Sequence, residues 1–307
     1  MQLADGERWN TAGSSWTRWK ERLITGLLAL SVLAVVLPVL AILWLLISRG
    51  VPGLSWEFLT KDPQTFALEG TMGGIRAAIV GTLYLVGLTI LLAVPIGVMA
   101  AVYLTEYARQ NIVTRVIRLS IVNLAGVPSV VYGLFGLGLF VYFLKCGVSL
   151  LAGGCTMAVL VLPLIITASE EALNTVPGSF REASLALGAS KWQTIWQVVL
   201  PTALPGILTG IILAVGRAAG ETAPVMFTCA AAIITITDLK PHLLDPVMLL
   251  SYQLYKTATS TSAHGHEQMQ LLQNNKWGTA LVLLMLVLGM NVVALILRAR
   301  LRKARRW

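Results

Sequence analysis

Two oppositely charged residues, Arg217 and Glu221, lie four positions apart in an otherwise apolar, glycine-rich stretch. Four positions is about one helical turn, so both side chains would lie on one face of a helix. An arginine presents a fork of N–H donors that matches the oxygens of an oxyanion in a bidentate way. The pair is therefore a candidate anion site. The alternative is structural: the two charges neutralise each other or tie their helix to a partner.

The position of Arg217 favours the anion site. It follows Thr202 by 15 positions, which is about 22 Å along an ideal helix and places it deep in an apolar core of about 30 Å. Because burying a charge there costs free energy, a functional reason is expected. We predict that Arg217 lies in a translocation pathway. Glu221 would orient the guanidinium and weaken its attraction, since a pathway must also release its solute.

A second group of residues lies in the segment 170–200, which is polar although both neighbouring segments are apolar. Such a segment is expected to project into water while its ends stay in the membrane, where it can transmit force between the two phases. Apolar spacing over 179–187 predicts a surface helix that Gly188 ends, and a second amphipathic stretch is predicted over 191–200. On pattern alone, an ordinary loop on the membrane surface is an equal alternative. The candidate coupling residues are Glu182, Ala183, Ser184, Gly188, Leu200 and Pro201.

The composition indicates which class of protein must position these residues. Of 307 residues, 56% are hydrophobic and only 12% are charged, so an integral membrane protein is predicted. The net charge of +9 does not indicate nucleic-acid binding. Part of it comes from a cluster of basic residues directly after the last apolar segment, and such a cluster indicates which side of the membrane that end of the chain lies on. That cluster comprises Arg298, Arg300, Arg302, Lys303, Arg305 and Arg306.

The apolar segments predict an all-α fold with six transmembrane helices. The predicted spans are 23–47, 77–104, 119–144, 156–175, 201–236 and 277–297. The fifth is longer than one crossing needs and is predicted to be broken, and a polar loop is predicted over 237–276. Six crossings put both termini on one side, where the segments carry 15 Lys and Arg residues against 7 on the other. The positive-inside rule therefore predicts cytoplasmic termini and a cytoplasmic segment 170–200.

Several chemistries have no motif in this sequence. The pattern G-x-x-x-x-G-K-[ST] is absent, so this chain is not expected to hydrolyse ATP, and neither H-E-x-x-H nor G-x-S-x-G is present. The cysteines and histidines form no zinc or redox pattern, so we expect no metal and no cofactor bound by this chain. Cys146 and Cys155 are predicted on the outer side, where a disulfide and two free thiols are equal alternatives.

Several runs of the sequence resemble a known family. The spacing through Glu182, Gly188 and Pro201 resembles the coupling loop of ABC-importer permeases, with Ser184 for the second alanine and Val198 for isoleucine. Within that group the chain is similar to the PstA permeases of bacterial phosphate importers, over most of residues 70–230. The runs are GGIRAAIVGTLYLV, NLAGVPSVVYGLFG, EEALNTVPGSFREASLALGASKWQTI, VVLPTALPGILTG and GRAAGETAPVMFT. SYQLYKTA, starting at Ser251, is similar to an outer-loop pattern of the family, with Thr257 where tryptophan is usual.

The resemblance implies a fold, a function and partners. The fold would be the MetI-like type I ABC-importer permease: an N-terminal segment 1–22, a first helix 23–48, a core 70–298 and a basic tail 299–307. The chain would supply half of the translocation pathway of an ATP-driven phosphate importer in the bacterial inner membrane. The implied partners are a homologous PstC-like permease, two PstB-like ATPases that use the ATP, and an extracytoplasmic PstS-like phosphate-binding protein.

Two alternatives stay open on the sequence. A membrane scaffold or sensor with the same fold is the second function class, and Arg217 argues against it, because a scaffold has no need of a charge within the membrane. Within transport, sulfate or molybdate is the alternative to phosphate, since the residues alone distinguish these oxyanions weakly.

Overall fold

The structure is a computed structural model that describes residues 15–61, 74–230, 242–259 and 266–303. The chain divides into two compact units, 1–49 and 50–307. The described part of the first unit is one long helix, α1 (Ser15–Gly50), whose last residue belongs to the second unit. It contains the predicted first span, 23–47, and begins earlier, over basic and tryptophan residues predicted to precede it. Residues 1–14 of the predicted N-terminal segment lie outside the described residues.

The first α-helix that starts in the second unit is short, α2 (Trp56–Thr60), and Ser55 caps it by accepting a hydrogen bond from the Phe58 N–H. The next helix, α3 (Arg76–Val102), continues through a π-helical turn at Tyr103–Tyr107. Together these agree with the predicted second span, 77–104, to within a turn of helix.

The third predicted span, 119–144, is wrong as a single helix. The chain forms α4 (Ile112–Ala125) and α5 (Ser129–Gly136), and α5 continues through π-helical residues Leu137–Phe143. The two parts are bent by 101° relative to each other. Pro128 explains the break, because proline has no N–H to donate and disfavours helical backbone at the residue before it.

The fourth predicted span is α6 (Leu150–Asn174), which begins before the predicted start at Thr156. After α7 (Gly178–Ala186), α8 (Lys191–Thr194) runs through a π-helical turn at Ile195–Val199 into α9 (Leu200–Gly220). The predicted break in the fifth span is confirmed, because the helix ends at Gly220 and restarts as α10 (Ala223–Thr228). Residues 231–236 of that predicted span lie outside the described residues.

The polar loop predicted over 237–276 is wrong in part. It contains α11 (Leu250–Thr259), and the last helix, α12 (His266–Lys303), begins well before the predicted start at Trp277. Tertiary contact explains α11: Leu250 is fully buried, and its N–H donates a 3.0 Å hydrogen bond to Thr82 Oγ1 in α3. Polar composition could not reveal that contact. Residues 304–307 of the basic tail lie outside the described residues.

The core of the second unit forms where α3, α6 and α9 pack together, around buried residues such as Leu85, Met157 and Ala214. Small residues bring α6 and α9 close: a Cβ atom on Gly210 would lie 2.5 Å from the Ala168 Cβ. Such contacts are typical of helices that pack within membranes. Among the described residues, five helical spans are long and apolar enough to cross a bilayer, or six if the bent pair α4 and α5 counts as one.

Candidate pathway and coupling sites

Arg217 and Glu221 meet where α9 ends. The Nε atom of Arg217 lies 3.3 Å from Glu221 Oε1, and the two side chains are 34% and 18% exposed. Glu221 has left the helix, with extended backbone at ψ 136°. The last turn of a helix has carbonyl groups without helical partners, and its dipole favours a cation there. The arrangement therefore holds a guanidinium, partly accessible and only partly neutralised, at a break between two helices.

The backbone at this break is held by α11, a helix that sequence reasoning did not assign to the site. The hydroxyl of Ser251 donates a 3.0 Å hydrogen bond to the main-chain carbonyl of Glu221. Because the adjacent Leu250 N–H binds Thr82 in α3, α11 fixes the Glu221 main chain relative to α3. The run SYQLYKTA contains Ser251 and is the feature that could have indicated this role, although no local pattern predicts its contact with Glu221.

Two of the runs that carry the family resemblance pack together beside the break. A Cβ atom on Gly133 of α5 would lie 2.9 Å from the Pro224 Cα of α10, so the two helices touch through their backbones. The adjacent Tyr132 is buried and donates a 2.8 Å hydrogen bond to the Leu124 carbonyl, across the bend between α4 and α5. The bend of one span and the break of another therefore adjoin each other at this site.

The predicted coupling residues lie around the start of α9. Helix α7 (Gly178–Ala186) confirms the surface helix predicted over 179–187. Gly188 follows with φ +84°, a left-handed conformation that glycine adopts without a steric penalty. Ser190 and Gln193 form a capping box at the start of α8, and Leu200 and Pro201 form the first turn of α9.

Both ends of the predicted segment 170–200 belong to longer helices in the structure. Glu170 still belongs to α6, where its carboxylate accepts a 3.2 Å bond from Arg118 Nε. The amphipathic stretch predicted over 191–200 is helical, and α8 continues through it into α9 without a break. At both ends of the predicted segment, the neighbouring membrane helices extend beyond their apolar residues. The projecting part, which we call the coupling segment, is therefore 175–190.

The coupling segment presents both apolar and charged side chains at its surface. Leu187 is 89% exposed, and Phe180 is about half exposed, which is unfavourable for a surface that faces only water. Glu182 is exposed and makes no ion pair within the described part of the chain. Ser184 instead points inward, where its hydroxyl lies 2.9 Å from Thr194 Oγ1 and ties α7 to α8. A contact inside the segment thus holds α7 against α8, and exposed apolar and charged side chains form its outer surface.

Within the described residues, the cysteines and histidines form no further site. Cys146 and Cys155, for which a disulfide and free thiols were equal alternatives on sequence, are both free, as is the buried Cys229. Among the residues that the structure describes, no group of three His, Cys, Asp or Glu side chains is placed to hold a metal ion.

Comparison with known proteins gives similarity along nearly the whole chain. Residues 93–307 match the family model described as binding-protein-dependent transport system inner membrane component. The chain is 35% identical over 295 residues to "Phosphate transport system permease protein PstA 1" of Mycobacterium tuberculosis (strain ATCC 25618 / H37Rv), covering 94% of this chain and 91% of that protein. It is 33% identical over 272 residues to "Phosphate transport system permease protein PstA" of Pasteurella multocida (strain Pm70), covering 87% and 91% respectively.

A solved structure has the same fold. It is described as an inward-facing conformation of the MetNI methionine ABC transporter, and it superposes with a TM-score of 0.55 at 16% identity, covering 74% of this chain and 97% of that one. At that level of identity the likeness concerns the fold alone, which is that of the MetI-like permeases.

Proposed function

Because this chain belongs to the binding-protein-dependent inner membrane components of ABC transporters, and among them to the PstA permeases, we infer that it is the membrane-spanning subunit of an ATP-driven importer for inorganic phosphate. The observation that carries this inference is the likeness to a phosphate permease over 94% of the chain. The fold alone would not carry it, since a methionine transporter has the same fold.

We propose that phosphate contacts Arg217 during its passage. Glu221 engages the Nε edge of the guanidinium, and the two Nη groups have no hydrogen-bond partner among the described residues. Those two groups form the bidentate fork that matches two oxygens of an oxyanion. Glu221 would keep the affinity low by offsetting part of the positive charge, which favours release on the far side.

The pathway would be completed by a homologous, PstC-like permease. The bent pair α4 and α5 supports this, because it adjoins the Arg217 site and yet carries many exposed large apolar side chains. They include Val116, Leu119, Val122, Val130, Leu134 and Phe135. A second permease that covers this face would enclose the anion between two subunits and shield it from lipid.

The coupling segment would dock on one of two PstB-like ATPase subunits, which bind and hydrolyse the ATP. Glu182, Ala183 and the exposed apolar residues of α7 would form the contact, and Gly188, Leu200 and Pro201 would set its position relative to α9. The basic residues near both termini support a cytoplasmic position for the termini and the coupling segment, in the inner membrane. A PstS-like protein would deliver phosphate from the outer side.

Solute competition tests this function. The complex of both permeases and the ATPase would be reconstituted in proteoliposomes with the phosphate-binding protein, and uptake of labelled phosphate measured against excess sulfate, molybdate or arsenate. We expect ATP-dependent uptake that arsenate inhibits, because arsenate has the charge and geometry of phosphate, and that sulfate and molybdate leave nearly unchanged. Uptake of sulfate or molybdate in preference to phosphate would assign the complex to another oxyanion.

A further inference from the structure

The π-helical turn Tyr103–Tyr107, at the end of α3, binds one cationic side chain from each of three other helices. Arg118 of α4 donates a 2.8 Å hydrogen bond from Nη2 to the Leu104 carbonyl. Arg181 of α7 binds the Glu106 carboxylate. Lys191 of α8 places its Nζ 4.7 Å from the centre of the Tyr107 ring. Arg181 lies within the coupling segment and Lys191 directly follows it, so the coupling segment and its continuation into α8 both contact this single turn.

The contact between Arg181 and Glu106 is the strongest of the three. Arg181 Nη2 lies 2.7 Å from Glu106 Oε1, and the Nε atom lies 3.1 Å from the same oxygen. The two side chains are only 23% and 9% exposed, so water screens their attraction weakly. Arg181 also donates to the Val176 carbonyl at 2.7 Å and the Leu173 carbonyl at 3.0 Å. One guanidinium thus joins α7, the end of α6 and the end of α3.

These bonds restrict how α7 can move. A displacement of the coupling segment relative to α3 must stretch the Arg181–Glu106 pair or carry the end of α3 with it. Arg118 also binds this turn, at the Leu104 carbonyl. Because Arg118 binds Glu170 of α6 as well, at 3.2 Å, it connects the end of α3 to α6. A π-helical turn is a local departure from regular helix, and such turns are frequent at functional sites. Helix α3 in turn packs along α6 in the core.

We propose that the turn Tyr103–Tyr107 is the junction that passes displacement of the coupling segment to α3, with Arg181 and Glu106 as its positioning residues. This proposal rests on the proposed function, because it requires that the coupling segment is moved by the ATPase. A purely structural ion pair would affect how much complex assembles. A transmitting pair affects how much phosphate is imported for each ATP hydrolysed, and that ratio separates the two roles.

The test uses the complete reconstituted complex and the variant Glu106→Gln, which keeps the shape of the side chain and removes its charge. We expect normal assembly and ATP hydrolysis, with phosphate imported per ATP lower by about fivefold or more. The matched control is Glu57→Gln, which breaks the 2.9 Å pair with Lys61 at a surface where the two side chains are 75% and 60% exposed. It should keep the parental ratio. A parental ratio in assembled Glu106→Gln complex overturns the proposal.

Two further variants keep the outcome decisive. If the pair acts as a unit, Arg181→Gln combined with Glu106→Gln lowers the ratio no further than Arg181→Gln alone, which also removes the bonds to the Val176 and Leu173 carbonyls. Multiplied effects of the two changes overturn the pairing. If Glu106→Gln does not assemble, Lys191→Met tests the junction without leaving a buried charge, and a parental ratio there overturns it.

Gly188→Val distinguishes failure of the junction from failure of the proposed function. If it uncouples transport while Glu106→Gln does not, only the junction is wrong. If neither changes the ratio, the coupling segment itself has no such role.

Discussion

Gly133 in α5 and Pro224 in α10 pack through their backbones, and a Cβ atom on Gly133 would lie 2.9 Å from the Pro224 Cα. We expect Gly133→Val to force these helices apart, because the obstructing atom belongs to the main chain and cannot rotate away. Overpacking of this kind costs about 1 to 3 kcal/mol. The yield of intact complex and its thermal unfolding midpoint would both fall. Gly138→Val is the matched control, since no atom lies within 4 Å of a Cβ atom there. Equal losses in the two variants would contradict the close contact.

Arg217 is expected to control transport through the shape of its side chain as well as its charge. Arg217→Lys keeps the charge but loses the fork, so we expect phosphate uptake to fall by about tenfold or more, as for the loss of one charge-assisted hydrogen bond. Arg217→Gln should remove nearly all uptake. Lys61→Gln, which removes an exposed cation, is the control and should transport normally.

Each Arg217 variant must first be shown to insert and assemble, because loss of one partner of a shielded ion pair can destabilise the fold. Parental uptake by assembled Arg217→Gln complex would make Arg217 structural. Glu221→Gln should also reduce uptake, since the guanidinium is then less neutralised and holds phosphate longer or adopts a different position.

Gly188 provides a test of the coupling segment. Its φ of +84° is unfavourable for a β-branched residue, so Gly188→Val should distort the turn and reduce phosphate uptake relative to ATP hydrolysis while membrane insertion stays normal. Gly188→Asn should retain most coupling, because asparagine enters the left-handed region far more readily. Comparable uncoupling by Gly188→Asn and Gly188→Val would show that the left-handed turn is not the cause.

Thr82 links α3 to α11, and its replacement should lower stability. Its Oγ1 accepts the 3.0 Å hydrogen bond from the buried Leu250 N–H, so Thr82→Val leaves that N–H unpaired, at a cost of about 1 to 3 kcal/mol. Thr89→Val is a closely matched control on the same helix, because among the described residues the Thr89 hydroxyl binds only the Leu85 carbonyl one turn back. We expect a lower thermal unfolding midpoint for Thr82→Val than for Thr89→Val. The reverse order would contradict the role of this bond.

The membrane helices and the family could be predicted because their determinants are local in sequence. Apolar runs predict membrane-spanning helices, and the four-residue spacing of Arg217 and Glu221 predicts an ion pair within one helical turn. The turn at Gly188 also follows from local pattern. The presence of Pro128 alone does not predict the bend after Ala125, because a proline within a membrane helix can produce either a gentle kink or a sharp break, depending on the neighbouring helices.

The contacts that complete both sites join residues far apart in the chain. Arg181 and Glu106 are 75 positions apart, and Ser251 lies 30 positions beyond Glu221. The spacing of apolar and polar residues along the chain does not predict which helix ends will be neighbours in the fold. The composition of α11 predicts a polar loop and not a helix, for the same reason. The hydrogen bonds that stabilise α11 join it to α3 and to the break between α9 and α10, which are distant in sequence.

The two hydrogen bonds at Glu221 hold different parts of the residue, so its side chain can move while its main chain stays fixed. Ser251 anchors the main chain, whereas Arg217 engages only the carboxylate. The carboxylate can therefore follow small movements of the guanidinium by side-chain rotation, while the main chain keeps its position. If phosphate binds the two Nη groups as proposed, Glu221 would remain on the Nε edge as an adjustable counterion, and the surrounding helices would not need to repack for each ion.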